Sequence, residues 1–165
     1  MIKIVGTLLI VASTTTLGIM YSPAIKKRID ILETIYRFFG EVAEEIRHSR
    51  DTTYVILSRL IKSERYKELS FLKEGLTNRR GYIEELIRIV NKQNNLLAEI
   101  DKKILTDFFL KLGKTDVEGQ MVHSLSCQQR IMQVLKTDKE NTMKKAKMMN
   151  SLGVLSGIFI SIFMI

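Results

Sequence analysis

"IDILETIYRFFGEVAEEI", residues 29–46, is the most regular stretch of the chain. Starting from Ile25, the apolar positions Ile29, Leu32, Tyr36, Phe39, Ala43 and Ile46 recur at alternating steps of four and three. That spacing places them on one face of an α-helix. Core packing is the reading for these rings, in preference to a ligand box. Just upstream, Ser22 and Pro23 supply a start signal. Serine caps the first turn, and proline fits the first helical position because its missing N–H would be unsatisfied there anyway.

The same period continues outward, and no alternating strand pattern competes with it. "SRD" (49–51) offers a break and a new cap, after which Tyr54, Leu57, Leu60 and Ile61 mark a short second helix. Ser63 and Glu64 start a third, carrying Tyr66, Leu69, Phe71 and Leu72 and ending between Gly75 and Asn78. "TNRRG" (77–81) reads as a turn, and Ile83, Leu86, Ile87 and Val90 as a fourth helical face. The polar "NKQNN" (91–95) either interrupts that helix or solvates it, so the helix count between 49 and 95 stays open. Leu97, Ile100, Ile104, Phe108 and Leu112 give a fifth stripe.

"LGKTDVEGQ" (112–120) is a helix stop followed at once by a helix start. Gly113 suits the left-handed position after a helix end, Thr115 or Asp116 can cap the next helix, and Glu118 in its first turn suits the dipole. Val117, Met121, Leu125, Met132 and Leu135 are the predicted apolar face of that last helix. The expected fold is therefore all-α, an antiparallel bundle of five to six helices over residues 23–147.

Both ends are apolar. After Lys147 come 18 residues without charge, "MMNSLGVLSGIFISIFMI", about 27 Å of helix and close to the thickness of a bilayer's hydrocarbon core. Residues 4–21 likewise lack charge. A signal peptide cleaved near Ser22 to Ala24 is the alternative for this segment. The positive charge is heavier after the run (Lys26, Lys27, Arg28) than before it (Lys3), which favours a retained anchor with its downstream side in the cytoplasm. The expectation is an N-terminal transmembrane helix over 1–22, a cytoplasmic domain over 23–147 and a C-terminal transmembrane helix over 148–165. A GxxxG pattern at Gly153 and Gly157 is a weak contact signal within the last.

Charge placement supports this. Lysine and arginine total 26 against 18 acidic residues, an excess that in isolation would suggest a nucleic-acid binder. Setting aside Lys26, Lys27, Arg28, Lys144, Lys145 and Lys147 leaves 19 basic against 18 acidic residues between 24 and 147. The surplus sits where the chain would meet anionic headgroups, so lipid rather than nucleic acid is the expected partner.

Catalytic constellations are scarce. The two histidines are His48 and His123 and the one cysteine is Cys127. His123 and Cys127, four apart, can share a helical face, but two ligands do not complete a zinc site. Neither an orienting third group nor an oxyanion site is visible for a nucleophile pair. Glu44 with Glu45, and Glu84 with Glu85, diverge around a helix and suit solvated faces. There is no GxxxxGK[ST] loop to cradle phosphates. The expectation is a protein without enzymatic activity, metal or cofactor.

"VASTTT" (11–16), the turn residues Leu112, Gly113, Asp116 and Gln120, and "SLGVLSG" (151–157) occur in an order and spacing that resembles the stage III sporulation protein AB family of endospore-forming bacteria. The resemblance runs over essentially the whole chain. It implies a domain like that of inner-membrane platform proteins in type II secretion and type IV pilus machines. It implies membership of a channel complex joining mother cell and forespore, in the mother-cell membrane. It further implies partners in a cytoplasmic secretion-type ATPase and the other stage III channel proteins, with homo-oligomerisation an option. The competing reading from another class is a membrane-anchored helical adaptor or sensor, and a nucleic-acid tether is disfavoured by the nearly neutral middle.

Overall fold

A computed structural model describes residues 23–49 and 51–164; beyond 148, only Ser151 and Leu155 are described at the level of their side chains. Six helical elements follow one another, with no strand among the described residues: α1 (Pro23–His48), α2 (Thr53–Lys62), a 3₁₀ segment (Glu64–Leu76), α3 (Tyr82–Lys92), α4 (Glu99–Lys111) and α5 (Val117–Met164). One compact unit spans Lys27–Lys136, and α5 from Thr137 onward belongs to a second. The expected N-terminal membrane span, 1–22, lies outside the described residues. The apolar run from 148 continues α5 as helix to Met164, with most of its side chains outside the description. Among the described residues no helix is long and apolar enough to cross a membrane.

α1 begins at Pro23, as its start signal predicts, and occupies the middle of the core. Its buried face is wider than a single stripe. Leu32, Phe39, Ala43 and Ile46 are buried as expected, and so is a second row of Ile31, Ile35, Phe38 and Val42, while Ile29 and Tyr36 at the flanks are half-buried. The rings meet those of other elements: Phe38 lies 5.5 Å from Tyr66 and 6.1 Å from Phe108, and Phe39 lies 4.4 Å from Phe108, centroid to centroid. Gly40 allows a close approach on this helix. A Cβ there would sit 2.4 Å from Nε2 of Gln128, which donates 3.0 Å to the Tyr36 carbonyl and ties α5 to α1.

The third helix is real but is 3₁₀ rather than α over 13 residues, with a kink at Tyr66. Tyr66, Leu69, Leu72 and Gly75 are all buried and recur every third residue, the period at which 3₁₀ side chains eclipse. Phe71, expected on the buried face, is half-buried. The ridge packs against α2 and α3. Gly75, in its last turn, lets Leu86 and Ile89 of α3 press in, at 2.8 and 3.2 Å from the position of an added Cβ. The Tyr66 hydroxyl donates to the Glu41 carboxylate; burial, reinforced by that charge, pushes the phenol pKa upward.

"NKQNN" does interrupt: α3 stops at Lys92 and α4 starts at Glu99. The buried face of α4 departs from its predicted stripe. Ile100 is 53% exposed, while Asp101, Lys102, Leu105 and Phe109 join Ile104 and Phe108 inside. The reason is Asp101, whose carboxylate accepts the Ala98 N–H at 2.8 Å to cap the helix and receives Arg28 of α1 at 2.5 Å. Turning Asp101 inward turns Ile100 out. α5 departs similarly. Val117 (56%), Leu125 and Met132 (54%) are exposed, Met121 and Leu135 are half-buried, and the inward face over 117–136 is carried by Ser124, Cys127 and Ile131. Ser124 and Cys127 are small enough to let α5 come close to α1, so that Gln128 beside them reaches the α1 backbone.

Candidate functional site

The four turn residues singled out in the sequence are brought together. Leu112 closes α4, its N–H shared between the Phe108 and Phe109 carbonyls at 3.2 and 3.3 Å, and its side chain is buried. Gly113 then takes φ +76°, the left-handed conformation that glycine adopts without a Cβ penalty. Of the two candidate caps the structure selects Asp116, whose Oδ1 accepts the Gly119 N–H at 3.0 Å. Gln120 locks the turn from the far side: its Oε1 accepts the Gly113 N–H at 2.9 Å, and its Nε2 donates to the Thr115 carbonyl at 2.8 Å. Four residues within a nine-residue stretch thus make one hydrogen-bonded corner. Their role here is to fix the angle between α4 and the first turns of α5.

Gly113→Val is expected to cost more than about 1 kcal/mol, since a β-branched residue is disfavoured at positive φ and Thr53 Oγ1 stands 3.4 Å from the added Cβ. Gly113→Asn should cost less. Thermal melts of the 24–147 fragment check the order; equal values for wild type and valine would contradict it.

Beside this corner lies a shallow groove of about 180 Å³. Ile83 and Ile87 of α3, with Leu110 of α4 and Leu112 just after it, form its apolar lining, and Arg79, Lys114 and Glu84 also line it. Ile83 and Ile87 were predicted as core; they are half-buried because one side of each faces this groove. The wall is braced by Tyr82, whose hydroxyl is 2.8 Å from Thr53 Oγ1 and whose ring is 5.2 Å from Tyr54. Arg79 lies over the Tyr54 ring at 5.7 Å, which sets its guanidinium beside the opening.

The junction residues are distributed unevenly. Lys26, Lys27, Lys144, Lys145 and Lys147 are exposed. Arg28 is half-buried and bound bidentately to Asp101, at 2.5 and 3.4 Å. The paired glutamates sit beside bases: Glu44 is 3.3 Å from His48, Glu45 binds Arg59, and Glu85 binds Arg88, whose hydrogen bond lowers the carboxylate's pKa. His123 and Cys127 share a face as predicted, with Nε2 and Sγ 3.6 Å apart. Sequence reasoning missed their third neighbour, Asp107 of α4, whose ligating atom falls with theirs in a set spanning no more than 4.8 Å. Sixteen positions separate it from His123, and the juxtaposition exists only once the corner has folded.

Comparison with curated proteins and with solved structures returns no match. The model of one protein family does match, over residues 3–165, and covers the turn, the helical unit and both apolar runs. On that extent the chain belongs to the stage III sporulation protein AB family.

Proposed function

We propose that this sporulation-family chain is a non-enzymatic platform of the channel complex between mother cell and forespore, held in the mother-cell membrane by both apolar ends and docking a secretion-type ATPase from the cytoplasm. The observation that carries the sporulation role is the family match over nearly the whole chain. The platform role extends it by what the family resemblance implies, a domain like those of secretion-type platform proteins. Two features support the membrane reading: uncharged runs at 4–21 and 148–165, and exposed lysines next to each.

For the motor, two charged faces are candidates, one around Glu44 and Glu45 and one around Arg79 and Arg80. The second is the better supported. Glu45 is spent on Arg59, whereas Arg79 flanks an apolar groove in which a partner's side chain can be desolvated, as the centre of an interface requires. Reversing both charges, Arg79→Glu with Arg80→Glu, is expected to weaken binding of the cognate ATPase to the full-length protein in detergent by about tenfold, roughly 1.4 kcal/mol. Glu44→Lys should change it less. Pull-down and sporulation yield read the outcome. If neither the full-length protein nor the 24–147 fragment associates with the ATPase while gene deletion still blocks sporulation, the docking role is wrong and the adaptor reading replaces it.

A further inference from the structure

The cluster of Asp107, His123 and Cys127 lies apart from the groove and is unused by the platform reading. Its three donors are of the types that hold zinc-class ions, and they come from two helices: Asp107 from α4, His123 and Cys127 one turn apart on α5. With Zn–N near 2.0–2.1 Å and Zn–S near 2.3 Å, two ligands at the tetrahedral angle stand about 3.6 Å apart. Nε2 of His123 and Sγ of Cys127 are 3.6 Å apart. The carboxylate completes a set within 4.8 Å, so a shift of about 1 Å at the end of Asp107 closes the third edge. The imidazole is held in place by stacking on Phe108, interplanar angle 16°.

We propose that these three side chains bind one divalent ion of the zinc class, with water in the fourth position, as a clamp between α4 and α5 beside the 112–120 corner.

Charge is consistent with this. A carboxylate and a thiolate together neutralise a divalent ion, and the thiol proton leaves to solvent as the metal–sulfur bond forms. Burial, with Asp107 nearby, raises the free thiol's pKa to about 11, and a coordinated cation reverses that penalty. Asp107 already carries two cations, Lys111 at 3.1 Å on Oδ1 and Arg130 at 2.7 Å on Oδ2. Both are largely exposed, 59% and 44%, and such pairs are weak enough to exchange. Arg130, which also hydrogen-bonds the Cys127 thiol, is the one that must leave; Lys111 stays on the other oxygen and orients the carboxylate from outside. The contact between Nε2 and the Asp107 carbonyl, 3.2 Å, gives way to the ion in the same place.

The test uses the full-length protein in detergent, stripped with chelator and titrated with Co²⁺. One equivalent should produce the thiolate-to-cobalt charge-transfer band and the intense visible bands of a four-coordinate ion, both bleached by Zn²⁺. Cys127→Ser should abolish the charge-transfer band, and His123→Gln and Asp107→Asn should each weaken binding at least about tenfold, the lower bound for losing even an outer partner of a metal site. His48→Gln should leave the titration unchanged. A variant that loses helicity by circular dichroism is replaced as evidence by zinc-edge X-ray absorption on the wild type, where one sulfur and three nitrogen or oxygen neighbours are expected. A folded wild type that gives no charge-transfer band, or a bound zinc without sulfur in its shell, overturns the proposal.

Discussion

Arg28→Met should destabilise the helical unit by about 3–5 kcal/mol, the cost of leaving a buried charge without its partner. Asp101 has no exposed surface, and its two oxygens hold the Ala98 N–H and the Arg28 guanidinium. Removing the guanidinium leaves a carboxylate in the core with one backbone donor. Lys27→Met, the exposed neighbour in the same basic cluster, should stay within about 0.5 kcal/mol of wild type. The double variant Arg28→Met with Asp101→Asn should recover part of the loss, because asparagine can still accept the Ala98 N–H without carrying charge. Urea unfolding of the 24–147 fragment, followed by circular dichroism, reads all three. Should Arg28→Met and Lys27→Met unfold at the same concentration, Arg28 is only a surface charge.

The pair also changes what the basic cluster means. Charge counting groups Lys26, Lys27 and Arg28 as one membrane-junction signal. In the fold two of them are exposed and the third joins the start of α1 to the start of α4. Counting cannot separate these uses, because a lysine facing lipid and an arginine facing a carboxylate 73 residues away look alike in the chain.

Where local period dictated structure, the sequence was readable. α1, the apolar face of α2 and the corner at Gly113 follow from spacing and turn chemistry, whereas the polar run 91–95 leaves open whether the helix breaks there, and α2 is preceded by Thr52 rather than capped from 49–51. The 3₁₀ ridge was legible in principle, since Tyr66, Leu69, Leu72 and Gly75 recur at three, but attention to a 3.6 period hides a run of three. The inward face of α5 was not legible. Apolar residues mark Val117, Leu125 and Met132, yet the face that packs is chosen by how closely α5 can approach Gly40, a property of two helices rather than one. The same limit hid Asp107, whose neighbours on α5 depend on the geometry of the corner.

Phe108→Ala is expected to cost about 3–5 kcal/mol as well, by a different mechanism. Its ring is fully buried and meets those of Phe38, Phe39 and Phe109, at 6.1, 4.4 and 5.2 Å, and stacks on His123. Truncation removes the contact surface of four rings at once. The surrounding helices cannot collapse into the space, because α1 is pinned to α5 through Gln128 and to α4 through Arg28. For a unit of this size the loss corresponds to a fall in melting temperature of roughly 10–20 °C. Since small domains are stable by only about 5–15 kcal/mol, a large share of that margin disappears. Phe108→Leu, which keeps most of the volume, should lose less than half as much. Sporulation yield should follow the same order, because the corner at Gly113 and the groove beside it are both built on the end of α4 that this ring anchors. If Phe108→Ala melts within about 3 °C of wild type, below the shift expected from 1 kcal/mol, α4 does not pack against α1 through this ring.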